Sequence, residues 1–198
     1  MTRRTLFAIA ATAAFLAIAP SAFAQATTTT PAVSPPVPPP PPPEIEIGQM
    51  APDFTMEVAD SAGARATPVT LSELRGKVVV LAFYPEDRTS GCTAELTKFR
   101  DEYAKLFGPE TVVLPISVDS LVTHASWAKE MSFPFVLGSD PKLEIARQYG
   151  SWIPGRRTST RTVFVIGKDG RIRWRNLRFG ALNENAYSEL ATEVAKAR

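Results

Sequence analysis

Val78-Val79-Val80-Leu81-Ala82-Phe83-Tyr84, followed at once by Pro85-Glu86-Asp87-Arg88-Thr89-Ser90-Gly91-Cys92-Thr93-Ala94-Glu95, is the stretch that decides the fold. The run Val78 to Tyr84 has no alternation of apolar and polar residues. It reads as a strand buried on both faces, hence parallel to a neighbour and flanked by helices. After the loop, Leu96, Phe99, Tyr103 and then Leu106 or Phe107 recur at helical spacing, which predicts a helix from Thr93 to about Phe107. Cys92, the only cysteine in the chain, therefore falls where a buried strand turns into a helix.

That place has a chemical consequence. The first turn of a helix offers unpaired backbone N–H groups and the positive end of the dipole, and both favour an anion. Thiols so placed ionise more readily than a free thiol, with pKa values of ~3.5–7.5 instead of ~8.5. Gly91 lets the backbone approach closely, and Thr89 or Ser90 can cap the helix. On position alone Cys92 is equally readable as a small buried hydrophobe.

Working outward toward the C-terminus, Thr111 to Val118 reads as a second strand, in which Pro115 calls for an edge or a bulge. Leu121 to Met131 reads as a helix capped by Asp119 or Ser120, and Phe133 to Leu137 as a short extended piece. Asp140-Pro141 opens a helix to about Tyr149, with proline in its first turn. Ser151 to Thr160 is a basic, irregular loop carrying Arg156 and Arg157. Arg161 to Ile166 and Arg171 to Arg175 form a hairpin across Lys168-Asp169-Gly170, and Asn183 to Ala197 closes the chain as a helix with Tyr187, Leu190, Val194 and Ala197 on one face. The alternation predicts an α/β fold with a mixed central sheet flanked by helices.

Working toward the N-terminus, Gly48 to Phe54 opens a domain expected to span residues 46–198, and Leu71 to Lys77 leads into the central strand. Residues 25–45 read as a Thr/Pro-rich disordered linker. Between Pro31 and Pro43, nine of thirteen residues are proline, which gives an extended spacer with no core of its own. Residues 1–24 read as a signal peptide, with Arg3 and Arg4 as the charged region, Leu6 to Ala19 as the apolar region, and Ala22-Phe23-Ala24 as the cleavage site. The expected location is periplasmic or secreted, and membrane-tethered if the segment is not removed. The paired arginines leave twin-arginine export open beside the general route.

Removing that segment leaves 20 basic residues against 20 acidic ones, a formal charge of zero that argues against nucleic-acid binding. One cysteine excludes an internal disulfide framework, so a thiol in an oxidising compartment must be buried, paired with a partner or reactive. His124 is the sole histidine; it lies on a helix three residues before Trp127 and reads as structural. One cysteine and one histidine make no convincing metal site, and no cofactor is expected.

Taken together, these residues resemble the peroxiredoxins of the AhpC/TSA family, which have a thioredoxin-like fold. Pro85-x3-Thr89-x2-Cys92 is similar to their active-site motif. Ala51-Pro52-Asp53-Phe54, Phe83-Tyr84-Pro85, Ser117-Val118-Asp119-Ser120 with His124 and Trp127, Ser139-Asp140-Pro141, Tyr149-Gly150 and Arg161 to Ile166 match in order along residues 46–197. The loop Thr89 to Thr93 is most like the bacterioferritin-comigratory-protein type. The resemblance implies a thiol-dependent peroxidase acting on hydrogen peroxide or organic hydroperoxides. Cys92 is then the peroxidatic nucleophile, passing through a sulfenic acid. Arg161 lowers the thiol pKa and binds peroxide, and the Thr89 hydroxyl accepts from the peroxide. Pro85 shields the sulfur from water, and Glu95 orients the arginine.

The chain departs from this type at Thr97, where a resolving cysteine often stands. No internal disulfide can form, so a one-cysteine mechanism is expected, with an external thiol or thioredoxin-like protein as reductant and a homodimer left open. A thiol–disulfide oxidoreductase is disfavoured, because Ser90-Gly91-Cys92-Thr93 lacks a Cys-x-x-Cys pair. The remaining alternative is an exported redox sensor or partner-binding module acting through a mixed disulfide at Cys92.

Overall fold

All six residues of the strand Val78–Phe83 are buried. In the computed structural model, which describes residues 45–198, this strand lies inside a seven-stranded mixed sheet. The signal peptide and nearly all of the Thr/Pro-rich linker expected from the sequence lie outside the described residues.

Nine strands are present among the described residues. They are β1 (Thr55–Met56), β2 (Val58–Asp60), β3 (Gly63–Ala64), β4 (Val69–Thr70), β5 (Val78–Phe83), β6 (Thr111–Ser117), β7 (Leu137–Ser139), β8 (Thr162–Ile166) and β9 (Ile172–Asn176). The large sheet runs β3-β2-β7-β6-β5-β8-β9, and β1 pairs with β4 apart from it. Strands β5, β6 and β7 are parallel neighbours, whereas β2, β8 and β9 run antiparallel to theirs. The helices are α1 (Ser90–Asp101), α2 (Tyr103–Leu106), α3 (Leu121–Met131), α4 (Glu144–Gln148) and α5 (Glu184–Ala197), with a short 3-10 turn at Leu71–Leu74.

The unbroken apolar run of β5 has a simple cause: the strand feeds two cores. Val78, Val80, Ala82 and Tyr84 face one with Leu96 and Phe99 of α1, Trp127 of α3, and Tyr187, Leu190 and Val194 of α5. Val79, Leu81 and Phe83 face the other, with Phe54, Met56, Leu71, Ile145 and Tyr149. Ile45 is buried in this second core.

Several boundaries differ from expectation. The helix predicted from Thr93 begins earlier, at Ser90, and is interrupted at Glu102, where φ −109° and ψ 22° leave the helical region. Pro115 sits inside the sheet, opposite Ala82 on β5, without a bulge. On its other side β7 pairs only with Ile116 and Ser117, so the missing N–H falls where no partner strand has begun. Phe133 to Val136 bends instead of pairing, and β7 starts at Leu137. The helix expected at Pro141 starts at Glu144. The Asp140 carboxylate accepts from the Glu144 and Ala146 amides, both at 2.8 Å, and Leu143 adopts φ +57° to complete that turn. The predicted hairpin and both α3 and α5 are present, with Ser120 and Asn183 as side-chain caps.

Candidate active site

The loop after β5 delivers Cys92 into the first turn of α1, where it is fully buried. Across the sheet, β8 pairs antiparallel with β5, and Phe83 stands opposite Thr162. Arg161 immediately precedes that rung, one residue before the strand in which the sequence placed it. Its Nη2 donates to Cys92 Sγ at 3.2 Å, and its Nη1 donates to Glu95 Oε2. Residues 69 and 66 positions away in sequence are thereby held by one planar cation. The guanidinium thus sets a fixed positive charge and an N–H donor directly against the sulfur.

Glycine at position 91 leaves room for the guanidinium. A Cβ built there meets Arg161 Nη2 at 3.1 Å, so any side chain crowds the guanidinium. The backbone approach expected of Gly91 is thus an approach of Arg161 to the helix.

Glu95 lies one turn after Cys92 and is also fully buried. Burial pushes its carboxyl up to about 7, against the pull of the Arg161 charge and hydrogen bond. Its Oε1 is buried and meets no donor among the described residues, which is why ionisation there is costly. Burial also works against the Arg161 charge, but Glu95 and Cys92 outweigh it and hold the guanidinium above its usual range.

Thr89 occupies the cap position of α1 without making the side-chain cap bond anticipated for it. Its hydroxyl donates to the Glu86 carbonyl at 3.1 Å, which leaves its oxygen lone pairs to accept from another donor. Pro85 is half-buried directly after Tyr84.

The sequence did not single out what fixes this loop. The buried Asp87 carboxylate accepts from the Tyr84 hydroxyl at 2.7 Å and faces His124 Nδ1 at 2.9 Å, while its amide donates to Asp119 Oδ2 at 2.8 Å. His124 Nε2 faces the Gly138 carbonyl at 3.1 Å, so both ring nitrogens meet oxygens. The histidine read as structural is therefore a buried strut, 37 positions from Asp87 in sequence. Arg88 holds φ +60°, a region uncommon for a side-chain-bearing residue, and is pinned to Ser126 at 3.1 Å and to Glu130 at 3.0 Å. Ser159 donates to the Tyr84 carbonyl at 2.6 Å and ties the basic loop to the same strand end. The one available signal was the polar Tyr84 and Asp87 beside an otherwise apolar strand end.

A sheet of this order, with a lone cysteine on the helix after its central strand and an arginine entering from the antiparallel neighbour, defines a redox-active thioredoxin-like protein. Residues 47–175 match the AhpC/TSA family. The chain is 38% identical over 134 residues to the bcp peroxiredoxin of Coxiella burnetii, covering 65% of this chain and 85% of that protein. It is 33% identical over 142 residues to peroxiredoxin Bcp of Bacillus subtilis, covering 68% and 87%. Among solved structures, peroxidoxin BcpB from Mycobacterium tuberculosis superposes with a TM-score of 0.66 at 28% identity, covering 78% of this chain and 99% of that one.

The chain belongs to the AhpC/TSA family. It is a peroxiredoxin with a thioredoxin-like fold, and hence a thiol-dependent peroxidase.

Proposed function

We propose that this protein reduces peroxides by a one-cysteine cycle in which Cys92 is the nucleophile. The observation that carries the assignment of roles is the single guanidinium of Arg161, shared between Cys92 Sγ and the buried Glu95. The Cys92 thiolate attacks one peroxide oxygen. The S–O bond forms as the O–O bond breaks, and the leaving oxygen takes a proton and departs as water or an alcohol. Arg161 steadies the thiolate and the negative charge that grows on the departing oxygen. The Thr89 hydroxyl, already donating to Glu86, accepts from the peroxide O–H. Pro85 keeps bulk water from the sulfur, and Glu95 sets the orientation of the guanidinium.

The product is a sulfenic acid on a chain with no second cysteine. One external thiol condenses with it, forming an S–S bond and releasing water. A second thiol displaces Cys92, so that two thiols are oxidised for each peroxide reduced. Export is part of the same reading and rests on the sequence of residues 1–24.

Stopped-flow oxidation of Cys92 by hydrogen peroxide between pH 4 and 9 tests the proposal. The expected rate is far above that of a free thiol and is abolished in Cys92→Ser. A rate equal to that of a free thiol, or equal peroxide consumption by the variant, overturns it.

A further inference from the structure

A one-cysteine cycle needs a reductant, and the surface beside the catalytic loop carries a feature suited to one kind. A cleft of ≈ 670 Å³ is lined by Glu86, by the apolar Val118, Pro141 and Leu143, and by four cations, Lys142, Arg147, Arg156 and Arg157. Glu86 belongs to the catalytic loop itself, because its carbonyl accepts from the Thr89 hydroxyl at 3.1 Å. All four cations are exposed, and none forms an ion pair with a described residue.

This clustering stands out against the charge of the chain. Residues 25–198 carry equal numbers of acidic and basic groups, yet four unpaired cations gather here against one carboxylate. The cleft is also braced. The Arg147 guanidinium lies over the Trp152 ring at 4.5 Å, and Trp152 Nε1 donates to the Arg156 carbonyl at 2.8 Å. These contacts hold part of the basic loop in place. Arginine forks recognise carboxylates in bidentate geometry, and a concave site of this size suits a small molecule better than the broad face of a protein.

We infer that this cleft binds the external thiol, and that the thiol is a small molecule bearing more than one carboxylate. The inference rests on the one-cysteine reading above. The docked thiol sits against Glu86, in the same loop that leads into the fully buried Cys92. Its carboxylates sit on the arginines, and its sulfur condenses with the Cys92 sulfenic acid, releasing water. A second thiol of the same kind then cleaves the mixed disulfide, leaving the Cys92 thiol and a small-molecule disulfide.

The test uses the full chain oxidised with one equivalent of hydrogen peroxide, then mixed with mercaptosuccinate, 2-mercaptoethanol or cysteamine. Rates are compared per thiolate. Mercaptosuccinate is expected to reduce the sulfenic acid at least about tenfold faster than the other two at low salt, an advantage that shrinks in 0.5 M salt. Arg156→Glu with Arg157→Glu abolishes the advantage. Lys77→Glu with Lys129→Glu, an equal charge change outside the cleft, leaves it in place. Tricarballylate, which has carboxylates but no sulfur, binds the reduced parent and not the cleft variant by calorimetry. That arm does not depend on peroxidase chemistry, so slow oxidation of Cys92 by peroxide counts against the peroxidase reading and not against the cleft. Equal rates for the three thiols, an advantage that survives the cleft substitutions, or efficient reduction by an acidic dithiol protein alone overturns the inference.

Discussion

Replacing Glu95 by glutamine isolates the most unusual titration in the site. Glutamine keeps an oxygen for Arg161 Nη1 and removes the ionisable proton. The Glu95 carboxyl is raised from the ordinary 4.5 to about 7 by burial. Below pH 4.5 both the folded and the unfolded chain carry it protonated, and its titration costs nothing. As pH rises, the unfolded chain loses the proton first, so the folded state loses stability relative to it until Glu95 ionises as well near pH 7. At about 1.36 kcal/mol for each tenfold change in proton affinity, the full loss is about 3 kcal/mol, most of it between pH 5 and 8. Urea unfolding of the parent and of Glu95→Gln across that range measures it, because groups that Glu95 does not touch cancel in the difference, and Arg161 and Tyr187, which it does touch, titrate above that range. The parent is expected to weaken relative to the variant by about 2–3 kcal/mol from pH 5 to pH 8, or roughly 5–10 °C in melting temperature for a chain of this size. A difference constant to within about 0.5 kcal/mol, the usual scatter of such comparisons, refutes the argument that burial outweighs the Arg161 pairing.

Arg161→Met removes the donor to Cys92 and is expected to slow peroxide oxidation of the thiol by about 10²–10³, the usual cost of losing one such stabilising group. Stopped-flow rates at pH 7 check it, and a loss below about tenfold places the guanidinium outside the reaction. Gly91→Ala sets a methyl 3.1 Å from Arg161 Nη2. It is expected to slow the same step about three- to tenfold while leaving stability unchanged or raising it by up to about 1 kcal/mol, since alanine is the better helix former. A parallel fall in stability points to a general disturbance instead. Asp87→Ala strips partners from the buried Tyr84 hydroxyl and from His124 Nδ1. The expected cost is about 3 kcal/mol by denaturant unfolding, and a cost under about 1 kcal/mol removes the strut from the account.

The central strand, the helix bearing Cys92 and the closing helix were legible because each has a long signal. Val78 to Tyr84 is apolar on both faces, and Tyr187, Leu190 and Val194 repeat at helical spacing. The strands between Thr55 and Thr70 span two or three residues each, too short for any period to show. The late start of α4 depends on one carboxylate: Asp140 caps amides four and six residues ahead, which overrides the usual place of proline in a first turn. In the site, Cys92, Thr89, Pro85, Glu95 and Arg161 were marked by the resemblance to a known motif. The juxtaposition of Cys92 and Arg161 is set by strand pairing and has no local trace. The Asp87–His124 contact was out of reach for the same reason, whereas half of the cationic cleft was visible as the basic loop with Arg156 and Arg157, and only its meeting with Lys142 and Arg147 depends on the fold.

The rung that pairs Phe83 with Thr162 gives strand register a chemical meaning. A slip of β8 by one residue would exchange the side chains it gives to the two cores, and their packing forbids it. A slip by two residues would preserve the facing of every side chain, and hydrophobic packing alone would resist it only weakly. It would nonetheless carry Arg161 about 7 Å along the strand, well beyond reach of the sulfur. A chain misaligned in that way could have nearly native secondary structure and no reactive thiol. Peroxide reactivity at Cys92 is therefore a direct readout of ladder alignment, more sensitive to a two-residue error than any spectroscopic measure of helix and sheet content.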